Sequence, residues 1–303
     1  MINSFLLELL VDPLTREKLV FDGNQNLLTS ASSGKTYPVI DTVPRILPDA
    51  VTGISVSDLH LKFDTKFAYA DHYQKDAELF SYTEESISQI EKDESRRLHE
   101  SILNEISEDM AIVLDVGCGG GWASKKLIPL GKMVISMDIS SDNPVHAVQD
   151  MRHDRHAGLI ADAYYIPIKE NSVDCIIASE ILEHVSDPAK FISSLLRVLK
   201  HNGKLIITTP YDEKIDYYLC VHCNKPTPKS AHLHSFNEVN IKRYLPGEGI
   251  TWSATRQTNK YLIKARSHIV LGYFSYRYWK KIDSLFNRLL NCALRLQIVI
   301  IKL

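Results

Sequence analysis

The residues best placed to do chemistry lie in one stretch, Ile112 to Trp122. Asp115 stands two residues before Gly117, and Gly119, Gly120 and Gly121 follow. Ile112, Val113, Leu114 and Val116 predict a strand covered on both faces. The glycines clear side chains from the turn after it, so a ligand can lie against the backbone. Trp122 to Leu130 predicts a helix whose first N–H groups point back into the loop. Two common phosphate sites are excluded. A dinucleotide fingerprint needs a third glycine three residues after the second, and Trp122 or Ser124 stands there, depending on register. The Gly-Lys-Ser/Thr ending of a phosphate-cradling loop is also absent. A fixed carboxylate at the mouth of a glycine loop repels pyrophosphate and suits a cation.

Two more acids fall where later strands should stop. Val134 to Ser140 predicts a second strand ending in Asp138, about twenty residues past the loop, where an acid can take both hydroxyls of a ribose. Ile160-Ala161-Asp162-Ala163 closes a third short strand. S-adenosylmethionine carries an ammonium group, a sulfonium, a ribose diol and an adenine. The run Asp115-Val116-Gly117-Cys118-Gly119-Gly120-Gly121 resembles motif I of class I S-adenosylmethionine-dependent methyltransferases of the type 11 kind. The stretch from Tyr165-Ile166-Pro167 through Asn171 and Asp174 to Ala178 is similar to that family's link into its fourth strand. The resemblance covers roughly residues 95 to 210. It implies an α/β Rossmann-like fold, with a seven-stranded, mostly parallel sheet and helices on both faces. It implies that the Asp162 carboxylate takes the adenine amine and the next N–H the ring. The implied cofactor contacts are Asp115, Gly117, Cys118, Gly119, Asp138, Ile139, Asp162, Ala163 and Ser179.

The remaining chain must supply the elements that position these groups. At 303 residues, 45% hydrophobic and 24% charged, it describes a soluble globular protein with room for one large or two smaller domains. A formal net charge of −2 gives no global reason to expect a nucleic-acid partner. No run reaches the length of a membrane span, and Met1 to Leu10 lacks the features of a secretory leader. Five scattered cysteines point to a reducing compartment, so the expected location is cytoplasmic.

Residues 1–48 are expected to form a small β-rich accessory lobe. Residues 2–10 suggest a short helix, Lys18–Phe21 and Asn26–Thr29 a hairpin, and a second turn then leads to Thr36–Ile40, followed by Asp41–Leu47. The order resembles a zinc-ribbon-like lobe of the Trm112 type. Asp12-Pro13-Leu14-Thr15 stands where such lobes carry Cys-Pro-x-Cys, and the first cysteine of the chain is Cys118. This copy therefore lacks the zinc ligands and must rely on its apolar core. Residues 49–108 are read as a linker and cofactor-covering helices. Phe67, Tyr69, His72 and Tyr73 either line a pocket or pack there. Apolar positions from Ile87 to Ile106 recur at helical spacing.

Residues 109–303 are read as the methyltransferase-like domain, with a substrate loop inserted at 211–245. Ser186 or Asp187 can cap a helix with Pro188 in its first turn. Phe191, Ile192, Leu195 and Leu196 form its stripe, Asn202-Gly203 is expected to end it, and Lys204–Pro210 is expected to be the fifth strand. In the inserted loop, Cys220 and Cys223 at CxxC spacing, with His232 and His234 beyond, could close a tetrahedral zinc site that staples the loop. A polar loop with unpaired thiols is the other reading. Thr251–Gln257 and Tyr261–Ile263 suggest a sixth strand or its approach. Tyr273–Leu290, rich in aromatic and basic residues, suits a helix on a membrane surface or one packed across the sheet edge. Leu296–Ile301 reads as a closing strand.

Methyl transfer requires mainly that the nucleophile be held close to the sulfonium methyl. His184 is the first candidate for a general base, with a packing role as the alternative. Three readings follow: methyl transfer to a small or lipid-linked acceptor, methyl transfer to rRNA or tRNA, and a non-catalytic cofactor-binding scaffold. The lost amino-terminal cysteines and balanced charge count against RNA. Peripheral membrane contact remains open, as does the oligomeric state.

Overall fold

A computed structural model describes residues 2–48, 67–80 and 88–303. The expected apolar position Ile87 and the first part of the expected linker, residues 49–66, lie outside the described residues. Thirteen strands are described: β1 Leu19–Asp22, β2 Leu27–Ser30, β3 Thr36–Ile40, β4 Val43–Ile46, β5 Ile112–Val116, β6 Met133–Asp138, β7 His156–Ala161, β8 Val173–Ser179, β9 Leu199–Pro210, β10 Tyr217–Leu219, β11 Pro226–Pro228, β12 Ile250–Asn259 and β13 Ala293–Lys302. The helices are α1 Ser4–Leu9, α2 Tyr69–Leu79, α3 Gln89–Leu103, α4 Trp122–Leu127, α5 Asp142–Asp150, α6 Pro188–Val198, α7 Lys260–Lys264, α8 His268–Leu271 and α9 Tyr276–Leu290.

Eleven strands form one sheet in the order β1-β2-β3-β4-β7-β6-β5-β8-β9-β13-β12. From β4 to β9 every pairing is parallel, and β13 then runs antiparallel to both β9 and β12. The seven strands from β7 to β12 are the expected Rossmann-like sheet. Their central members are buried on both faces, as their near-continuous aliphatic sequence requires. Parallel strands place β5, β6, β7 and β8 with their carboxyl ends on one edge, which is where such sheets bind ligands. Asp138 ends β6, and Asp162 follows directly on β7.

The amino-terminal strands continue this sheet. β4 pairs with β7 through Arg45–Ile160 and Ile46–Ala161, and Leu6, Leu10, Leu28 and Tyr37 share a core with Leu114, Ile135 and Leu159. The turn at Asp12, where the resembled lobe carries metal-binding cysteines, is held by a carboxylate. Asp12 Oδ1 accepts from the N–H groups of Leu14 (2.9 Å) and Thr15 (2.8 Å), and Tyr37 donates to Oδ2 at 2.8 Å. Burial works against the Asp12 charge, but these bonds outweigh it and hold its pKa below the usual range.

Two boundaries differ from expectation. α6 starts as predicted, with the Asp187 side chain accepting from Lys190 N and Pro188 in the first turn. It ends at Val198, before Asn202-Gly203, because Leu199 already pairs with Val173 in an irregular extension of β9. Gly203 passes so close to Asp174 that a Cβ would stand 2.9 Å from its carbonyl oxygen. Tyr261–Ile263 is helical rather than a strand, since the Asn259 side chain accepts from Tyr261 N and caps α7. No described helix is long and apolar enough to cross a membrane.

Candidate active site

The glycine loop is fixed by the strand beside it. The N–H groups of Gly117 and Cys118 both donate to the Met137 carbonyl, at 2.8 and 3.1 Å. Gly117 has φ +71°, and a Cβ there would stand 2.2 Å from Ile181 Cδ1. Only glycine meets both demands. The loop borders a cavity of about 880 Å³, which Gly117, Cys118, Gly119, Asp138, Ile139, Asp162, Ala163, Ser179, His184 and His232 all line.

Each of the three acids has distinct surroundings. Asp138 Oδ1 accepts from Ser140 N at 2.9 Å and Oδ2 from Asn143 Nδ2 at 3.1 Å. Burial raises its pKa, and these bonds restrain the rise. Asp162 Oδ1 accepts from Tyr164 N at 2.7 Å. Its Oδ2 accepts from the Tyr69 hydroxyl at 2.5 Å. Burial and then the Asp162 charge push the Tyr69 phenol far up, so it stays a donor. Asp115 behaves differently. It is absent from the residues lining the cavity, and its carboxyl is enclosed, with Oδ2 lacking any partner. Burial, with the Asp138 charge adding to it, raises the Asp115 pKa to about 7. The expectation that all three acids border the cavity thus holds for Asp138 and Asp162 and fails for Asp115. Strand alternation is the reason: Val116 reaches the cavity and its neighbour turns away. The Cys118 thiol is pushed well up, by burial first and then by Asp138 and Asp115, so it is no nucleophile at neutral pH.

Phe67, Tyr69, His72 and Tyr73 both pack and line the cavity. Phe67 is buried, with edge-on contacts to His72 and Tyr73 at 5.2 and 6.0 Å between ring centroids. Aromatic content alone could not separate these roles, because one ring does both.

The cavity is also lined by a histidine cluster. The His184 ring lies edge-on to His232 at 4.8 Å and to Tyr73 at 5.9 Å. Burial, and then His232, lower the His184 pKa to about 4, so its imidazole is neutral at pH 7. His232 Nδ1 donates to Glu213 Oε2 at 2.6 Å, leaving Nε2 free of that bond. The loop reaches this place because the Glu183 carbonyl accepts from Leu233 N and His234 N, at 2.7 and 3.2 Å. Glu213 was missed in the sequence, since nothing local marks a loop acid as the partner of a histidine nineteen residues on.

The expected zinc site is not formed. Cys220 and Cys223 lie in the turn between β10 and β11, where Asn224 N donates to the Cys220 carbonyl and Cys220 N to that of Lys225. Cys223 is exposed, and Val221 between the thiols is 99% exposed. His232 turns inward to Glu213, and His234 packs against Phe236 and Tyr244. A two-strand hairpin sends its tip outward while the chain after it folds back. Among the described residues, the donor group compact enough for a metal is instead Glu183, His184 and His232, with ligand atoms within 4.8 Å of one another.

Residues 114–207 match the family model described as "Methyltransferase domain". The chain carries a class I S-adenosylmethionine-dependent methyltransferase domain. This methyltransferase domain is similar to the mitochondrial ubiquinone biosynthesis O-methyltransferase of Rattus norvegicus, 32% identical over 130 residues, 40% of this chain and 38% of that protein. It is also similar to the ubiquinone biosynthesis O-methyltransferase of Bartonella bacilliformis, 35% identical over 106 residues, 32% of this chain and 40% of that protein. The matches span less than half the length of these curated relatives. The crystal structure of an S-adenosylmethionine dependent methyltransferase from Mesorhizobium loti shares the fold, with a TM-score of 0.50 at 15% identity over 68% of this chain and 98% of that one. The residues fit the methyl donor: Gly117, Gly119 and Gly120 border the cavity without side chains, and carboxylates at two strand ends line the same cavity.

Proposed function

We propose that the protein transfers the methyl group of S-adenosylmethionine to a small organic acceptor that carries a dissociable proton. The observation that supports this best is that one cavity is lined both by Asp138 and Asp162 and by His184 and His232. When bound, S-adenosylmethionine supplies a methyl carbon already activated by the sulfonium. Asp138 would hold the ribose hydroxyls and Asp162, with the Ala163 N–H, the adenine. Tyr69, now on Asp162, would share that carboxylate or yield one oxygen to the adenine amine. An acceptor held against the histidines would give its proton to the neutral His184 imidazole as its nucleophilic atom bonds the methyl carbon, the sulfonium–methyl bond breaking and S-adenosylhomocysteine leaving. Glu213 orients His232 beside it. Relatives named as O-methyltransferases favour a hydroxyl as the acceptor group.

The test is incubation with methyl-labelled cofactor and a cell extract, followed by separation of small molecules, lipids and RNA. Label in an organic-extractable small molecule, dependent on the intact protein, is the expected result. Label in RNA overturns the acceptor class. Cofactor binding without any transfer leaves a scaffold, and no thermal shift with S-adenosylmethionine removes the cofactor site itself.

A further inference from the structure

We propose that α9, with the segment just before it, forms a docking surface for an anionic lipid bilayer. The inward side of the helix mixes apolar Trp279, Ile282 and Phe286 with polar groups. Its buried positions are Trp279, Asp283 and Asn287. The two polar ones tie it to the end of β12. Asp283 accepts from Thr258 N at 2.9 Å and Asn259 N at 2.7 Å, and Asn259 Nδ2 donates to Asn287 Oδ1 at 2.9 Å. The outward side carries Tyr278, Leu285 and Leu289, at 61%, 55% and 71% exposure. A helix facing water ordinarily turns its apolar stripe inward. Positions 278, 281, 285, 288 and 289 share one face at three- and four-residue spacing, so Lys281 and Arg288 stand among those apolar side chains. The preceding segment adds Ile269, Val270 and Tyr273, at 60%, 63% and 92% exposure. Among the described residues, nine of the twenty exposed large hydrophobics lie between Tyr261 and Leu290, too dense a group for chance scatter.

Charge selects the occupant. From Lys260 to Leu290 there are seven lysines and arginines and one acid, Asp283, which is buried. The acids of α3 beside this segment are already engaged. Asp93 and Glu100 pair with Arg96 and Arg97, which also donate to the carbonyls of Leu271, Gly272 and Phe274, and burial, against the opposing pull of Arg295, raises the Glu94 pKa. Aliphatic and ring carbons with interspersed basic heads suit the headgroup boundary of a bilayer, where the carbons enter the acyl layer and the heads meet lipid phosphates. A nucleic acid would use the charges and leave Leu285 and Leu289 in water. β12 runs parallel to β9, so its end at Asn259 lies on the sheet edge that also carries the cavity.

The test is co-sedimentation of the full chain with vesicles of phosphatidylcholine alone and of phosphatidylcholine mixed with phosphatidylserine. Binding to the mixed vesicles that weakens with salt, and far less binding to the neutral ones, is expected. Replacing Arg277, Lys281 and Arg288 together by glutamine should weaken it about a hundredfold. Leu285→Ser with Leu289→Ser should weaken it roughly tenfold, with an unchanged melting temperature because both side chains are exposed. Equal binding to neutral vesicles, binding to neither kind, or unchanged binding in either variant overturns the proposal. So does tighter retention on single-stranded RNA than on the mixed vesicles at the same salt.

Discussion

The two sets of polar residues that line the cavity are made in different ways. In the first, Asp138 and Asp162 sit where neighbouring parallel strands stop, and each carboxylate is braced by N–H groups within five residues of itself. At the histidine cluster, Tyr73, His184, Glu213 and His232 come from four separate segments, and the Glu183 carbonyl ties the segment after His232 to the turn that carries His184. The first kind of site is set by strand register and tolerates changes elsewhere. The second depends on loops, which can be rebuilt to accept other substrates while the sheet stays the same.

The largest expected effect falls on the loop-built cluster. His184→Asn should lower methyl transfer by about a hundredfold to ten-thousandfold while leaving cofactor affinity nearly unchanged, measured as single-turnover rate against calorimetric Kd. Parallel loss of both would mean that the two sets are not separable. Asp138→Ala should do the reverse, weakening cofactor binding roughly a hundredfold without unfolding the chain, because two charge-assisted hydrogen bonds to the ribose would be lost. An unchanged Kd would remove the ribose from that carboxylate.

A third, smaller effect concerns Asp115. Its pKa in the folded chain is raised from 3.8 to about 7. Below both values the folded and unfolded chains hold the proton alike. Between them only the unfolded chain releases it, so stability falls as pH rises from about 4 to about 7. Asp115→Asn should make this slope shallower and raise the melting temperature at pH 7 by a few degrees relative to the parent. A slope identical in the variant would place the titrating group elsewhere. The smallest effect is expected from Cys220→Ser with Cys223→Ser. At an exposed hairpin tip the change in stability should stay within about 0.5 kcal/mol, with no change in metal content by elemental analysis. A bound zinc lost in that variant would overturn the geometry of the hairpin.

The same contrast accounts for how much of the site is legible in the chain alone. The cofactor residues are legible because Asp138 and Asp162 each stand at the end of an aliphatic strand and the glycines follow β5 directly, so local sequence fixes local geometry there. The exception, Asp115, needs the strand's face to be known. The histidine cluster is only half legible. His184 announces itself beside the fourth strand, whereas Glu213 has no local signal. The CxxC spacing of Cys220 and Cys223 suggests a metal site with His232 and His234, since spacing records how far apart donors lie in the chain and not which way each one points.

By itself, the sequence determined the strand before the glycine loop, the start of α6 and the carboxylates at two strand ends, because aliphatic runs, turns and caps act over neighbouring residues, while the parallel sheet was implied by the family resemblance. Only the tertiary structure decided that the amino-terminal strands extend the same sheet, that Tyr69 reaches Asp162, and that His184 and His232 meet. It alone decided that α9 turns Asp283 and Asn287 inward and Leu285 and Leu289 outward. Those outcomes depend on which distant backbone groups need partners once the sheet has closed, a demand no stretch of sequence carries alone.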